Sequence, residues 1–225
     1  MLAIISAAIA PGLALLSYFY LRDQYDTEPI RTVFRAFLLG LAITFPIMFV
    51  QYVLEAEQVF STPFFRSLIS YGLLEEFFKW FILYFFIFHL VEFDEPYDGI
   101  VYGAAVSLGF ATFENVLFIA VNGLGSAFGR ALLPVSSHAL FGVVMGYYVG
   151  KAKFSPSLTR KNLLLLSLAV PVILHGLYDF ILLSFSNWIY FIIPFMTFLW
   201  WLGLWKVKKA HTLTDLHHKR LNPKS

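Results

Sequence analysis

The sequence predicts an all-α protein, a polytopic transmembrane helical bundle of about seven spans with its N-terminus outside and its C-terminus inside. Composition is the first observation behind this fold class. Hydrophobic residues make up 59% of the 225-residue chain and charged residues only 13%, whereas soluble domains are about 45–50% apolar and about 25% charged. A soluble chain this apolar could not cover its surface, so the lipid bilayer must be its solvent.

Seven segments are the second observation, because each approaches the roughly 20 mostly apolar residues that a membrane-crossing helix needs. Short polar loops separate them, such as residues 22–32 and 151–162. Together they form one helical domain over residues 1–205, which a basic cytoplasmic tail follows over residues 206–225. The predicted spans are residues 2–21, 33–54, 66–90, 99–121, 131–150, 163–184 and 188–205.

Basic residues set the predicted orientation, because cytoplasmic loops collect lysine and arginine. With the N-terminus outside, the outer loops hold only Arg66 and Arg130, and Lys79 lies within a span. The inner loop at 91–98 is acidic and has no basic residue. We expect it to be structured or partly re-entrant, and five or six spans are the alternative. The other thirteen basic residues then lie inside: Arg22, Arg31, Arg35, Lys151, Lys153, Arg160, Lys161, Lys206, Lys208, Lys209, Lys219, Arg220 and Lys224.

Several function classes are excluded by what the chain lacks. It contains no cysteine, which removes disulfide bonds, thiol nucleophiles and thiolate zinc sites. A net charge of +2 is too small to indicate nucleic acid as a partner. The residues after Met1 are apolar rather than basic, so we expect a retained first helix rather than a secretory signal peptide.

Four predicted spans carry ionisable side chains, which are costly in the bilayer and indicate function by default. Glu75, Glu114, His138 and His175 all lie roughly 11–15 Å from the outer end of their spans, at about 1.5 Å of rise per residue. Structural polar residues that are independent of one another need not agree in depth. The agreement therefore predicts one shared site in a water-filled pocket.

Two short patterns add residues to this site. In LLEEFFKW, Glu75 and Lys79 share a helix face at four-residue spacing. The adjacent Glu76 lies about 100° further around the helix, so one glutamate can pair with the lysine while the other faces the pocket. In HGLYD, His175 and Asp179 are also four residues apart, and the aspartate can hold the imidazole in one tautomer.

These residue types indicate the activation of water. A buried glutamate can act as general base, and a nearby histidine can share the proton. A second histidine or an amide can stabilise an oxyanion. The predicted catalytic residues are Glu75, Glu76, His175, Glu114 and His138, and the predicted supporting residues are Lys79, Asn115, Asp179 and Glu95. Taken singly, the Glu–Lys pair can be a structural ion pair and a lone histidine an interhelical hydrogen-bonding residue.

No cofactor is favoured by this scheme, and zinc is the alternative. Histidine and carboxylate side chains can hold zinc with one position open for water. The ligands would then be Glu76, Glu114, His138 and His175. No HExxH pattern is present, which argues against a zincin.

Six longer segments carry a family resemblance: AIISAAIAPGLALLSYFYLRDQYD, LLEEFFKWFIL, FDEPYDGIVYGAAVSLGFATFEN, RALLPVSSHALFGVVMGYYVGKA, HGLYDFIL and SNWIYFIIPFMTFLWW. Over nearly its whole length the chain resembles the PrsW family of bacterial intramembrane proteases. The resemblance implies an endopeptidase of the bacterial cell membrane that makes the first, site-1 cleavage of a single-span anti-sigma factor in a stress response. The family has been described both as metalloproteases and as glutamic proteases, and we favour the glutamic type.

More distantly, the chain is similar to the type II CAAX prenyl endopeptidases, the Abi proteins and the Aph-1 subunit of γ-secretase. Lys79 stands one position before the arginine of the CAAX Glu-Glu-x-x-x-Arg motif. Glu114 and Asp179 replace the histidine and the asparagine that end the next two motifs. These departures disfavour a CAAX-type processing enzyme.

Two other functions stay open on the sequence alone. A proton-coupled transporter also uses carboxylates and histidines at mid-membrane depth, but we find no inverted repeat. A non-catalytic membrane scaffold can keep the histidines, but it has no need of the pair Glu75 and Glu76.

Overall fold

Seven helices build the protein in the computed structural model, which describes residues 2–221 and their side chains from residue 5. They are α1 (Leu2–Tyr20), α2 (Ile30–Ala56), α3 (residues 63–87), α4 (Asp98–Asn122), α5 (Leu124–Lys153), α6 (Ser157–Ser184) and α7 (Ile189–Leu221). No strand occurs within residues 2–221. The predicted all-α helical bundle is therefore confirmed.

Five of these helices, α2, α4, α5, α6 and α7, are long and apolar enough to cross a membrane, and α1 is a shorter apolar helix. Helix α3 is not among these five and, like α5, it is divided into pieces. A first turn (Pro63–Phe65) leads into a π-helical segment (Arg66–Leu73), an α-helical segment (Leu74–Ile82) and a second π-helical segment (Leu83–Ile87). The orientation of the bundle in the membrane stays a prediction.

Helix α4 lies at the centre of the bundle, and every residue from Asp98 to Thr112 is buried. It packs against α5 through glycines that face each other. A Cβ atom on Gly103 would overlap the carbonyl group of Gly142, and one on Gly146 would overlap that of Gly99. Small residues of this kind let two membrane helices approach backbone to backbone.

Helices α3 and α6 meet in a similar way next to the predicted site. A Cβ atom on Gly72 would lie 2.9 Å from the carbonyl oxygen of Val172 and 3.0 Å from the nitrogen of Gly176. Gly72 precedes Glu75 by three residues, and Gly176 follows His175 directly. The close contact therefore brings the glutamate pair of α3 next to the histidine of α6.

The acidic loop before α4 is ordered by the C-terminal helix. Tyr97 is fully buried, donates its backbone N–H to Thr214 Oγ1 at 3.1 Å, and stacks on His211 at 4.4 Å between ring centres. Helix α7 continues without a break beyond residue 205 to Leu221. Residues 206–221 are thus a helix packed on this loop, while the division at residue 205 stays a prediction.

Candidate active site

Lys79 lies at the centre of a buried cluster of carboxylates and imidazoles. Its side chain is fully buried, and its Nζ donates to Glu76 Oε1 at 2.8 Å and to Glu75 Oε2 at 3.3 Å. The same nitrogen lies 3.0 Å from His138 Nδ1 and 4.2 Å from the ring centre of Phe110. Lys79 thus contacts both glutamates, whereas the helix spacing allowed one of them to pair with it while the other faces the pocket. Two carboxylates compensate the cost of burying an ammonium group.

His138 bridges Lys79 to Glu114. An ammonium group can only donate, so the Nδ1 of His138 accepts and its Nε2 carries the proton of the neutral ring. That Nε2 lies 3.3 Å from Glu114 Oε2 and 4.0 Å from Glu75 Oε2. The histidine is therefore oriented by groups from α3 and α4 together.

His175 lies between carboxylates on both sides. Its Nδ1 is 2.9 Å from Glu76 Oε1, and its Nε2 is 3.1 Å from Asp179 Oδ2 and 3.9 Å from Glu75 Oε2. Asp179 lies beside the imidazole as the four-residue spacing predicts. Only the contact with Glu76 has hydrogen-bond geometry, whereas Asp179 Oδ2 is close to the ring without forming a hydrogen bond.

Three further residues reach the site that sequence analysis missed. Gln51 donates from Nε2 to Glu75 Oε1 at 2.9 Å, and Arg130 Nη2 lies 3.4 Å from Glu114 Oε1. The hydroxyl of Tyr178 is buried and has no hydrogen-bond partner in the described part of the chain. Gln51 had a usable signal, since it is a polar amide inside a predicted span.

A cavity of about 290 Å³ connects these groups. Its polar lining includes Gln51, Glu75, Glu114, Arg130, His138, His175, Tyr178 and Asp179. Glu114 and Asp179 keep 29% and 19% of their side chains exposed, whereas Glu76 and Lys79 are fully buried behind the lining. A water molecule or a peptide that enters the cavity would meet Glu75 before Glu76.

The five predicted catalytic residues therefore lie together, but two supporting residues do not join them. Asn115 donates to the carbonyl oxygen of Ala8 at 2.8 Å and accepts from Arg130 Nε at 2.9 Å, so its amide faces away from the cavity. Glu95 lies in a separate acidic group, with its Oε1 2.6 Å from His218 Nε2. The structure gives neither residue a contact with the glutamate pair.

The site also contains a group of donors suited to a metal ion. One ligand atom each from Glu75, Glu76, His138 and His175 lies within 4.8 Å of the others. Glu75 takes the place that the sequence interpretation gave to Glu114. Two carboxylates and two imidazoles fit zinc by their chemistry.

Fold and cavity together define a polytopic membrane protein with a buried site suited to hydrolysis. A family model described as PrsW family intramembrane metalloprotease matches residues 28–203. The chain is 62% identical to Protease PrsW of Bacillus subtilis (strain 168), covering 95% of this chain and 98% of that protein. Protease PrsW of Geobacillus kaustophilus (strain HTA426) is 56% identical, covering 93% of each chain. Protease PrsW of Clostridioides difficile (strain 630) is 32% identical, covering 90% of this chain and 89% of its own.

The chain belongs to the PrsW family of intramembrane proteases. It is therefore a peptidase and a multi-pass protein of the bacterial membrane, as the sequence predicts. No solved structure matches it.

Proposed function

We propose that this protease makes the first cleavage of a single-span anti-sigma factor, which leads to release of the sigma factor in a stress response. Family resemblance supports this substrate. One observation carries the proposed chemistry: Glu75 lines a cavity together with Glu114, and its Oε2 lies 4.0 Å from His138 Nε2 and 3.9 Å from His175 Nε2. That cavity has room for a water molecule beside a peptide bond.

Glu75 is the general base in this proposal. Its Oε1 is held by Gln51, and its Oε2 lies between Lys79, His138 and His175. A water molecule in the cavity gives its proton to Glu75 as its oxygen attacks the scissile carbonyl carbon. Such a base contributes about 10²–10⁴-fold to the rate.

Two other groups complete the reaction. The free hydroxyl of Tyr178 donates to the oxyanion that forms on the carbonyl oxygen. When the C–N bond breaks, His175 gives the proton on Nε2 to the leaving amine, and Glu75 returns its proton to that nitrogen over the 3.9 Å between them. Glu76 is a positioning residue, because it holds the other nitrogen of His175.

The family description as metalloprotease makes zinc the alternative to this scheme. Glu75, Glu76, His138 and His175 would hold the ion, which when bound supplies Lewis-acid activation of water and of the scissile carbonyl. Three of these residues already contact the ammonium group of Lys79 at 2.8–3.3 Å. A zinc ion would have to displace this cation, so we favour the zinc-independent scheme.

Purified protein reconstituted with a single-span anti-sigma factor tests the proposal. Glu75→Gln keeps the shape of the side chain and should lower the cleavage rate about 10²–10⁴-fold, because the amide cannot take the proton. Glu57→Gln is the matched control, because Glu57 is exposed at the end of α2. The Glu57→Gln protein should cleave the substrate at the normal rate. Normal cleavage by Glu75→Gln would overturn the assignment of the base.

A further inference from the structure

A second cluster of buried carboxylates lies at the other end of α4. We call Asp23, Glu28, Glu95 and Asp98 the acidic pocket. Asp23 and Glu28 belong to the loop between α1 and α2, Glu95 belongs to the loop before α4, and Asp98 begins α4. Between 1% and 8% of each residue is exposed, and ligand atoms of Asp23, Glu95 and Asp98 lie within 4.8 Å of one another. Asp98 precedes Glu114 by sixteen residues, which is about 24 Å along a helix, so this pocket is separate from the active site.

The pocket holds more carboxylate oxygens than hydrogen-bond donors. Asp98 Oδ2 accepts the backbone N–H of Glu95 at 2.6 Å, Glu95 Oε1 lies 2.6 Å from His218 Nε2, and Glu28 Oε2 accepts from Tyr102. The second oxygen of each of these three carboxylates has no partner among residues 2–221. Buried polar atoms are normally paired, so these oxygens indicate a missing ligand.

Asp23 gives the strongest indication. Both of its carboxylate oxygens are buried, and neither has a hydrogen-bond partner in the described chain. Asp23 is buried beside the carboxylates of Glu95 and Asp98, so its charge has no compensating group there. No lysine or arginine within residues 2–221 forms an ion pair with the four carboxylates.

We propose that the acidic pocket binds one hard divalent cation, Mg²⁺ or Ca²⁺. The unpaired donors are all carboxylate oxygens, which these ions prefer. A bound ion would neutralise charges that are costly to bury. It would also connect the loop after α1 to the start of α4. Because Glu95 contacts His218, it would connect both to α7 as well. The ion is structural and has no contact with the substrate cavity.

Direct binding tests this site. Protein is purified in detergent, treated with chelator, and dialysed against Mg²⁺, Ca²⁺ or Mn²⁺ at constant ionic strength and neutral pH. Metal content is then measured together with the thermal midpoint. We expect one saturable ion per chain and a higher midpoint for at least one of these ions, because a ligand that binds only the folded state stabilises it.

Two variants locate the ion. Asp23→Asn should weaken binding at least tenfold and abolish the metal-dependent rise in midpoint. Without metal it should fold normally, since it removes an unpaired charge. Asp94→Asn is the matched control, because Asp94 is an exposed carboxylate beside Glu95, and it should bind like the wild type. Glu76→Gln should also bind the ion unchanged, because Glu76 belongs to the active site.

Two results would overturn the proposal. One is the absence of saturable binding of all three ions. The other is binding that Glu76→Gln removes and Asp23→Asn retains, which would assign the ion to the active site.

Discussion

Lys79 illustrates, at the scale of single residues, how the active site can exist in an apolar interior. Its ammonium group balances Glu75 and Glu76, and Arg130 lies beside Glu114. Removing one member of a buried ion pair typically costs about 3–5 kcal/mol, because the remaining charge is left unpaired. Glu75→Gln keeps the shape of the side chain, and Glu76 remains beside Lys79 to balance its charge.

Tyr178→Phe should lower the turnover number about 10²–10³-fold with little change in KM, as the loss of one oxyanion donor does elsewhere. The ring should stay in place, because it packs against Phe141 and Phe195. Cleavage kinetics of the reconstituted protein measure this effect. Tyr190→Phe, at a tyrosine that is 77% exposed, is the control. An unchanged turnover number would assign the oxyanion to another donor.

Chelation distinguishes the two catalytic schemes. The contacts of the Lys79 ammonium lead us to expect that purified protein keeps its cleavage rate after prolonged chelation and contains less than one zinc per chain. The measurements are the residual rate and the metal content. Loss of activity that zinc alone restores would instead make Glu75, Glu76, His138 and His175 the ligands of a required ion.

The sequence predicted the members of the site better than their contacts. Comparing depths identified Glu75, Glu114, His138 and His175, because the position of a residue along a helix determines its depth in the membrane.

Depth does not fix the rotation of a side chain about the helix axis, however. Asn115 was therefore predicted to support the site, whereas its amide donates to the carbonyl oxygen of Ala8. Arg130 was assigned to a loop, and its long side chain reaches back to Glu114.

The π-helical segments explain, at the scale of elements, why rotation was hard to predict. One segment (Arg66–Leu73) ends two residues before Glu75, and another (Ala131–Val135) ends three residues before His138. A π turn changes the register of all residues after it, and such turns often occur at functional sites. The regular spacing of 3.6 residues per turn gives no indication of such turns in a sequence.

Gly146→Ala should destabilise the bundle by about 1–3 kcal/mol, as overpacking of a filled interior does. The added methyl group would overlap the backbone of Gly99, which no side-chain rotation can relieve. Gly129→Ala is the matched control, because nothing lies within 4 Å of a Cβ atom there. Thermal unfolding in detergent measures both variants. Equal midpoints would mean that α4 and α5 can separate without cost.

The whole molecule has two polar centres joined by α4, the substrate cavity near one end and the acidic pocket near the other. The bundle itself was predictable from hydropathy. The docking of residues 206–221 was not recognised, because their basic residues were interpreted as a tail. Their buried members recur with helical spacing, which was a usable signal: Lys206, Val207, Ala210 and Thr214.

The site of cleavage is the prediction that depends on the whole molecule. Glu114 lies eight residues before the end of α4 at Asn122, about 12 Å along the helix, and the distribution of basic residues predicts that this end lies outside. Bulk water would then enter the cavity from the extracytoplasmic side. We therefore expect the substrate to be cut on its extracytoplasmic portion, close to the membrane, and mass spectrometry of both product ends measures this.

The orientation needs its own control, because the expected cut follows from it. The chain lacks cysteine, so single cysteines can be introduced at the exposed positions Asn122 and Ser157. An impermeant thiol reagent should label intact cells at position 122 and not at 157. If this pattern holds and the substrate is nevertheless cut on the cytoplasmic side of its span, the cavity does not open outward and the depth argument is wrong. If position 157 is labelled instead, the orientation is inverted, and the cut should then move to the cytoplasmic side.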